Sequence, residues 1–179
     1  MSGLMRGQSA EAEAVIRRIR PDEVDVYRPF RLRALQDTPE AFGDSYALAS
    51  ARPPEFWHDR VSGMSAGIGT VLMVAADAAT DSWLGMTGCY REDPTDEWAL
   101  VVSVWVAPEV RRRRLARRLL DAVIEWARER GVRTLKLWVT ASNHRAQSLY
   151  LGAGFTPSGN TQPLPSNPAL QELEMVRDI

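Results

Sequence analysis

The spacing of hydrophobic residues changes along this chain and divides it into strands and helices. Apolar, β-prone runs lie at 70–76, 83–91 and 98–107, and polar connectors rich in Asp separate them. Such runs joined by turn residues predict an antiparallel meander in the middle of the chain. From Leu115 the apolar residues recur at helical spacing until Gly131, which is suited to end a helix. The pattern therefore predicts a meander followed by a long amphipathic helix.

Weaker patterns on either side complete the predicted order of elements. Residues 14–19 predict a first strand, and a helix opens at Pro21 in which Pro29 should cause a kink or a break. A second short helix is expected after Pro54, followed by a flexible, glycine-containing loop at 64–69. The remaining predicted elements are a strand at 134–140, a short helix within 142–154, a loop at 160–168 and a closing strand at 170–177. The whole is typical of an α/β domain with a mixed sheet.

Length and composition favour one soluble domain. The chain has 179 residues, of which 45% are hydrophobic and 25% charged, enough to bury a core. We expect the domain at 14–179, after a loose tail at 1–13 that lacks the apolar segment of a secretory signal. No apolar run reaches the ~20 residues needed to span a bilayer. Cys89 is the only cysteine, and a chain without a disulfide favours a reducing compartment. We therefore expect a cytoplasmic protein with no membrane partner.

Positive charge is concentrated at one junction between a strand and a helix. The formal net charge is only -1, yet six arginines lie between Arg111 and Arg118. Three interpretations are open: a solvated helix face, a nucleic-acid patch, or an anion site at a helix N-terminus. The third fits the position best, because the run follows an apolar strand and Pro108 and opens a helix whose first N–H groups lack partners. We expect a phosphate-bearing ligand there and no nucleic acid.

Two motifs flank this helix at a characteristic separation. The first reads Val106-Ala107-Pro108, then Arg111-Arg112-Arg113-Arg114-Leu115-Ala116; the second comprises Asn143, Ala146, Tyr150, Gly154 and Phe155. Together they resemble the GNAT acyltransferases (Gcn5-related N-acetyltransferases), whose patterns are Val-x-Pro, Arg/Gln-x-x-Gly-x-Gly/Ala and Asn-x-x-Ala-x-x-x-Tyr with Gly-Phe. The resemblance covers roughly residues 14–179. The family usually has glycine where Arg114 stands and often where Arg112 stands, so we expect altered diphosphate geometry with binding retained.

The resemblance implies a fold and a co-substrate. The GNAT fold is an α/β domain whose mixed, mostly antiparallel central sheet is flanked by helices. A V-shaped splay separates its central strand from the following parallel strand. Acetyl-CoA is implied as co-substrate, without a metal, and the family also allows a homodimer. The residues implied to bind the cofactor are Val104, Trp105, Val106, Arg111, Arg112, Arg113, Arg114, Leu115, Ala116, Arg117, Asn143 and Ala146.

The same resemblance implies two catalytic residues. Tyr150 matches the family's general acid for the thiolate, and its alternative is a tyrosine packed between helix and sheet. Asn143 fits a contact to the CoA arm, and its alternative is a helix N-cap. The glutamates that serve as bases in two branches of the family are replaced by Trp138 and Leu100. Glu97 is therefore the candidate base, directly or through water, and its alternative is a solvated turn carboxylate.

The implied activity is transfer of an acetyl group to a primary amine by direct attack in a ternary complex. A small-molecule amine is the expected acceptor, because the chain lacks the glutamates of the two protein-modifying branches. The alternatives are a peptide or protein N-acetyltransferase, a non-catalytic acyl-CoA sensor, and a nucleic-acid binder that uses the arginine run. We expect the acceptor to contact residues 41–46 and the loops at 64–69 and 160–168.

Overall fold

The structure, a computed structural model, describes residues 13–179, so the predicted tail lies outside the described residues except for Glu13. The strands are β1 (Ala14–Arg18), β2 (Thr70–Asp77), β3 (Trp83–Tyr90), β4 (Trp98–Val106), β5 (Thr134–Thr140), β6 (Thr156–Leu164) and β7 (Asn167–Asp178). The α-helices are α1 (Val24–Asp37), α2 (Tyr46–Ser50), α3 (Pro54–Ala66), α4 (Leu115–Arg128) and α5 (His144–Gly152). Short 3₁₀ turns lie at Pro39–Ala41 and Pro108–Val110.

All seven strands belong to one sheet in the order β1-β2-β3-β4-β5-β7-β6. Every neighbouring pair is antiparallel except β4 and β5, which are parallel and joined through α4. The prediction of a mixed, mostly antiparallel sheet flanked by helices is confirmed. The predicted bounds of β2, β3, β4 and β5 are each correct to within one residue.

Two hydrophobic clusters hold the helices on the sheet. One packs α1 and α3 against β2 and β3, with Tyr27 and Trp57 almost fully buried. The other packs α4 and α5 against β4 and β5, where Leu135, Leu137 and Val139 are buried. Because side chains alternate along a strand, the intervening residues of β5 lie on the opposite face of the sheet. That face is the one that meets the segment following α1.

Pro29 does not break α1, so of the two predicted outcomes, a kink or a break, the break is wrong. The helix runs from Val24 to Asp37 with Pro29 as its sixth residue. At that position proline removes only the bond to the Asp25 carbonyl, close to an end where several N–H groups lack helical partners anyway. Burial of the helix face that follows, including Phe30 and Leu35, offsets this loss.

Two predicted loops are shorter than expected, because regular structure replaces half of the loop at 64–69 and most of the loop at 160–168. Helix α3 continues to Ala66 and ends at Gly67, whose φ of 67° is the left-handed conformation that glycine adopts readily. The segment 160–168 forms most of β6, a tight turn and the start of β7. Its sequence misleads because β6 contains Pro157 and Pro163, and proline is tolerated in a strand that lies at the sheet edge.

Glu23 fastens the start of α1 to the sheet. Its carboxylate accepts hydrogen bonds from the Arg17 guanidinium (2.9 and 2.6 Å), the Arg20 backbone N–H (2.7 Å) and Trp83 Nε1 (3.2 Å). These groups come from β1, the turn before α1, and β3. Burial by itself raises the pKa of Glu23, but the hydrogen bonds, chiefly from Arg17, outweigh it and lower the pKa below its ordinary value.

Glu23→Gln should lower the free energy of unfolding at pH 7 by ~2 kcal/mol, the range for hydrogen bonds to a buried charge. Because the folded-state pKa is lowered, this stabilisation is complete above the ordinary pKa of 4.5 and is lost as the pH falls toward the folded value. Urea denaturation at pH 7 and pH 4 measures the effect, and the wild-type advantage should shrink at pH 4. Glu125→Gln, at an exposed ion pair of 3.9 Å with Arg128, is the control. A gap between wild type and Glu23→Gln that does not change with pH contradicts the assignment.

Candidate active site

The centre of the sheet opens where β4 changes its pairing. On the β3 side, Ser103 and Val104 together oppose Thr87, which makes a β-bulge. Ser103 has a φ of 57°, in the left-handed region. On the other side, β4 pairs with β5 only through Trp98–Leu100. Residues 101–106 therefore have no partner on β5, and this is the predicted splay.

Three residues predicted to bind the cofactor through their backbone lie in the open part of β4. These are Val104, Trp105 and Val106. The Trp105 side chain is committed to α1, since its ring packs on Phe30 (5.1 Å between centroids) and its Nε1 donates to Asp37 (2.9 Å). The Trp105 side chain therefore anchors this segment to α1, while the strand edge that faces β5 stays unpaired.

Helix α4 begins beside the open end of β4 without a cap. Arg114 occupies the N-cap position with a φ of 58° and makes no capping hydrogen bond. Arg118 donates the first backbone bond of the helix, to the Arg114 carbonyl (3.2 Å), and the three N–H groups before it have no acceptor among residues 13–179. Unpaired N–H groups at the positive end of a helix dipole attract an anion. Ala116 in this first turn adds only a methyl group over them.

The six arginines fall into two groups. Three are bound to other groups of the fold: Arg111 to the Val106 carbonyl (3.0 Å) and the Asp37 carboxylate, Arg117 to Asp121 (2.9 Å) and the Gly152 carbonyl (2.5 Å), and Arg118 to the Ala14 carbonyl (2.8 Å). The other three, Arg112, Arg113 and Arg114, are exposed, and their side chains make no hydrogen bond or ion pair within residues 13–179. Side-chain contacts to phosphate from Arg111 and Arg117 therefore require exchange of existing bonds, whereas the exposed three need none.

The second motif surrounds the start and middle of α5. Asn143 is the N-cap of this helix, since its side chain accepts from the Ala146 N–H (3.1 Å). Tyr150 is 6% exposed and packs edge-on against Phe155, with 6.1 Å between ring centroids. Burial raises the pKa of Tyr150, so the hydroxyl stays protonated at neutral pH. A protonated phenol can act as a general acid toward an anion that forms beside it, although a raised pKa makes it a weaker acid.

Glu97, the predicted base, lies at the closed end of the splay. It precedes β4, its side chain is 72% exposed, and it forms an ion pair with Arg133 (3.4 Å). Its carbonyl accepts from the Arg133 and Thr134 N–H groups, where β5 begins. Val104 follows seven residues later, or ~23 Å at ~3.3 Å per strand residue. This placement favours the alternative of a solvated turn carboxylate, and Glu97 is not brought together with the other candidate residues.

The loop at 67–69 is also remote from the splay, contrary to the expected acceptor contact. The Gly67 carbonyl accepts from Trp126 Nε1 (3.0 Å) and Arg130 Nε (2.8 Å), near the C-terminal end of α4. Residues 111–114 directly precede the N-terminal end of the same helix. The 14 residues of α4, ~21 Å in length, therefore separate this segment from Gly67.

The face of the splay opposite α4 and α5 carries polar residues that the sequence patterns did not reveal. Arg31 of α1 donates to the Ser103 hydroxyl (3.2 Å), and the Thr140 hydroxyl donates to the Glu40 carbonyl. Glu172 of β7 pairs with Thr140, and burial raises the pKa of its carboxyl. The sequence offers no signal for these contacts, because nothing in the periodicity distinguishes Arg31 from its neighbouring arginines.

Two further findings concern the whole described chain. Residues 13–179 contain no group of three or more His, Cys, Asp or Glu side chains that could hold a metal ion. In the same part of the chain, no helix has the length and apolar character needed to cross a membrane.

Cys89 is buried, and burial raises the pKa of its thiol to about 12, which does not suit a nucleophile.

An unpaired strand edge that leads to an uncapped helix N-terminus is suited to bind an elongated ligand that carries an anionic group. The acetyltransferase (GNAT) family model matches residues 33–155, and the chain belongs to this family. The resemblance drawn from the two motifs is thereby confirmed.

Individual relatives share less of the sequence than of the fold. A Bacillus subtilis (strain 168) protein named as a [ribosomal protein bS18]-alanine N-acetyltransferase is 36% identical over 61 residues, which cover 34% of this chain and 40% of that protein. A GNAT acetyltransferase from Streptococcus pneumoniae is 17% identical with a TM-score of 0.77, over 93% of this chain and 100% of the other. The PaiA N-acetyltransferase from Thermoplasma acidophilum, solved with coenzyme A, is 13% identical with a TM-score of 0.73, over 93% and 99%. These two structures establish the shared fold.

The left-handed backbone at Arg114 should carry a measurable strain. An L-residue in this conformation costs ~1–2 kcal/mol that glycine avoids, in part offset by the greater freedom of glycine in the unfolded chain. Arg114→Gly should therefore have a free energy of unfolding ~1 kcal/mol higher than Arg114→Ala, measured by urea denaturation. At Arg113, which is absent from the positive-φ residues, the order of the Gly and Ala variants should reverse. Equal stability of the two Arg114 variants contradicts the observed conformation.

Proposed function

We propose that this protein is an acetyl-CoA-dependent N-acetyltransferase that acts on a primary amine. The observation that carries the proposal is the continuous path from the unpaired edge of β4 to the uncapped N-terminus of α4. A long ligand with a diphosphate in its middle and a reactive thioester at one end fits such a path. Family membership supports the proposal, and so does the coenzyme A bound to the Thermoplasma relative.

The binding residues divide between backbone and side chain. The N–H groups of Leu115, Ala116 and Arg117 are free to donate to the diphosphate, and substitution at these positions other than by proline leaves them in place. Arg112, Arg113 and Arg114 are placed to add charge-assisted hydrogen bonds from solvent-exposed side chains. The open edge of β4 at Val104 and Val106 offers backbone groups to the amide-containing arm. Asn143 caps α5 through its oxygen, which leaves its side-chain N–H groups available.

The reaction requires that the protein orient the thioester and the amine and make two polar contacts, one to the sulfur and one to the carbonyl oxygen. Acetyl-CoA supplies the thioester, and the acceptor must present an uncharged nitrogen, whereas an alkylammonium with a pKa of ~10.4 is charged at neutral pH. As the C–N bond forms and the C–S bond breaks, the amine proton passes to water, the sulfur takes a proton from Tyr150, and water returns a proton to the Tyr150 phenolate. A backbone N–H at the β4 bulge stabilises the negative charge that develops on the carbonyl oxygen.

We propose a small-molecule amine as the acceptor. The acceptor face of the splay is lined in part by α1 and by the segment after it, which Thr140 ties to β5 through Glu40. Trp138 occupies the position of the glutamate in the branch that modifies ribosomal proteins. A peptide N-terminus is the second candidate, and the 61-residue match to the Bacillus protein favours it. Thiol release with acetyl-CoA over a panel of small amines and N-terminal peptides separates the two.

Coenzyme A should raise the melting temperature of the wild-type protein, because a ligand that binds only the folded state stabilises it. Arg113→Ala should weaken the affinity by ~3- to 10-fold at low salt and by less at 0.5 M salt, since exposed phosphate contacts are screened. Thermal unfolding with and without coenzyme A gives the melting temperature, and isothermal titration calorimetry gives the affinity at each salt concentration. Arg128→Ala, an exposed arginine in the last turn of α4, is the control and should bind as wild type does. The cofactor proposal fails if millimolar coenzyme A leaves the wild-type melting temperature unchanged.

Tyr150→Phe should lower kcat by ~10²-fold or more, the usual contribution of a general acid, because the phenol that protonates the sulfur is lost. The dissociation constant of coenzyme A should stay within about twofold, since the ring and its packing remain. Steady-state kinetics and calorimetry give the two numbers. Unchanged kcat removes Tyr150 from the mechanism. Tight coenzyme A binding by the wild type without thiol release from any amine or peptide favours an acyl-CoA sensor.

A further inference from the structure

Arg31 is a buried cation at the acceptor face of the splay. It lies on the core-facing side of α1 and is 7% exposed. Its Nη1 donates to the Ser103 hydroxyl at 3.2 Å, and its guanidinium stacks over the Phe42 ring with 4.5 Å to the centroid. Burying a guanidinium is costly unless it is paired with an anion. A neutral hydroxyl and one aromatic face satisfy only part of its five donors.

No carboxylate in the described chain pairs with Arg31. Tyr27 and then Asp44 are the acidic groups that favour its charge; Tyr27 is a phenol, and both Asp44 oxygens accept from Arg52 (2.9 and 3.2 Å). Arg60 and Arg52 repel the Arg31 charge. Burial is the largest cause that lowers the pKa of Arg31, and these two arginines add to it. Of the charged groups that act most strongly on Arg31, two are arginines and one is a carboxylate already bound to an arginine.

The position of Arg31 links this unbalanced charge to the reacting groups. Ser103, its hydrogen-bond partner, is the bulged residue of β4 and directly precedes Val104 in the open segment. An acceptor amine that reaches the thioester from the α1 side passes beside this guanidinium. An anionic group on such an acceptor would supply the missing partner, and a guanidinium binds a carboxylate with two parallel hydrogen bonds.

We propose that Arg31 is the specificity-determining residue of an acceptor subsite that binds a carboxylate, so that the preferred acceptors are primary amines that also carry a carboxylate group. This inference rests on the proposed acetyltransferase activity and narrows its acceptor class. Ser103 holds the guanidinium at the bulge, and Phe42 covers its face. Free amino acids and peptides with an acidic group both offer the required chemistry.

The test compares matched acceptors in wild type, Arg31→Met, Arg31→Lys and Arg28→Met. The acceptors are ω-amino acids of increasing length beside the corresponding n-alkylamines, α-amino acids beside their amides, and acidic dipeptides beside their neutral counterparts. The dipeptides distinguish a peptide from a free amino acid as the source of the carboxylate. Arg28 is an exposed residue on the same helix, so Arg28→Met is the matched control for the loss of charge.

Wild type should prefer carboxylate-bearing amines by at least ~30-fold in kcat/KM, as expected for a desolvated charge pair. Arg31→Met should reduce this preference to about twofold or less, through a higher KM for the carboxylate acceptors alone. Arg31→Lys should retain part of it, because the charge remains without the planar fork. The Arg31→Met protein should keep its melting temperature and its response to coenzyme A, since a buried charge is replaced by an apolar chain of similar length.

Two results overturn the inference while leaving the proposed function intact. One is equal use of acids and their amides by the wild type. The other is an Arg31→Met protein that loses activity toward all acceptors in parallel with its melting temperature, which identifies Arg31 as a purely structural brace for Ser103. A wild type that releases no thiol with any amine contradicts the proposed function separately. The carboxylate subsite can then be tested by binding alone. With coenzyme A present, carboxylate-bearing amines should raise the melting temperature of the wild type but not that of Arg31→Met. Equal responses of the two proteins overturn the inference.

Discussion

The parting of β4 from β5 after three paired residues is the constraint on which the rest of the structure depends. Parallel strands normally continue their ladder, and unpaired backbone groups inside a sheet are costly. Here the bulge at Ser103 shifts β4 against β3, and the strand is held from one side only beyond Leu100. The unpaired edge that results is a line of donors and acceptors that a ligand with amide groups can complete. The helix that follows begins uncapped at the same end of the sheet.

The arginine run combines two physical roles that the sequence alone does not separate. Arg111, Arg117 and Arg118 bind carbonyl and carboxylate groups of other elements and thereby fix the loop and the first turns of α4. Arg112 and Arg114 adopt left-handed backbone, at the two positions where the motif resemblance implies glycine. The loop therefore keeps its shape at a cost in strain. Three exposed guanidinium groups thereby lie beside a helix N-terminus that attracts anions, although the formal net charge of the whole chain is only -1.

The sequence predicted the parts of the fold that periodicity governs and missed those set by tertiary position. Strands β2 to β5 alternate or run apolar because they lie inside the sheet, and their bounds follow from that pattern. Strand β6 lies at the edge and carries two prolines and few β-formers, so the sequence predicts a loop over its second part, residues 160–164. Glu97 directly precedes the strand that carries Val104, but the length of that strand separates the two residues. Arg31 meets Ser103 across 72 positions, a contact that no local pattern encodes.

A structure of the protein with coenzyme A tests the central claim most directly. The account predicts that the diphosphate oxygens lie within hydrogen-bonding distance of the N–H groups of Leu115, Ala116 and Arg117. It also predicts that the amide-containing arm runs along the edge of β4 at residues 101–106, with the sulfur directed toward Tyr150. Coenzyme A bound on another surface, or an unaltered β4 edge and α4 N-terminus at millimolar ligand, contradicts it.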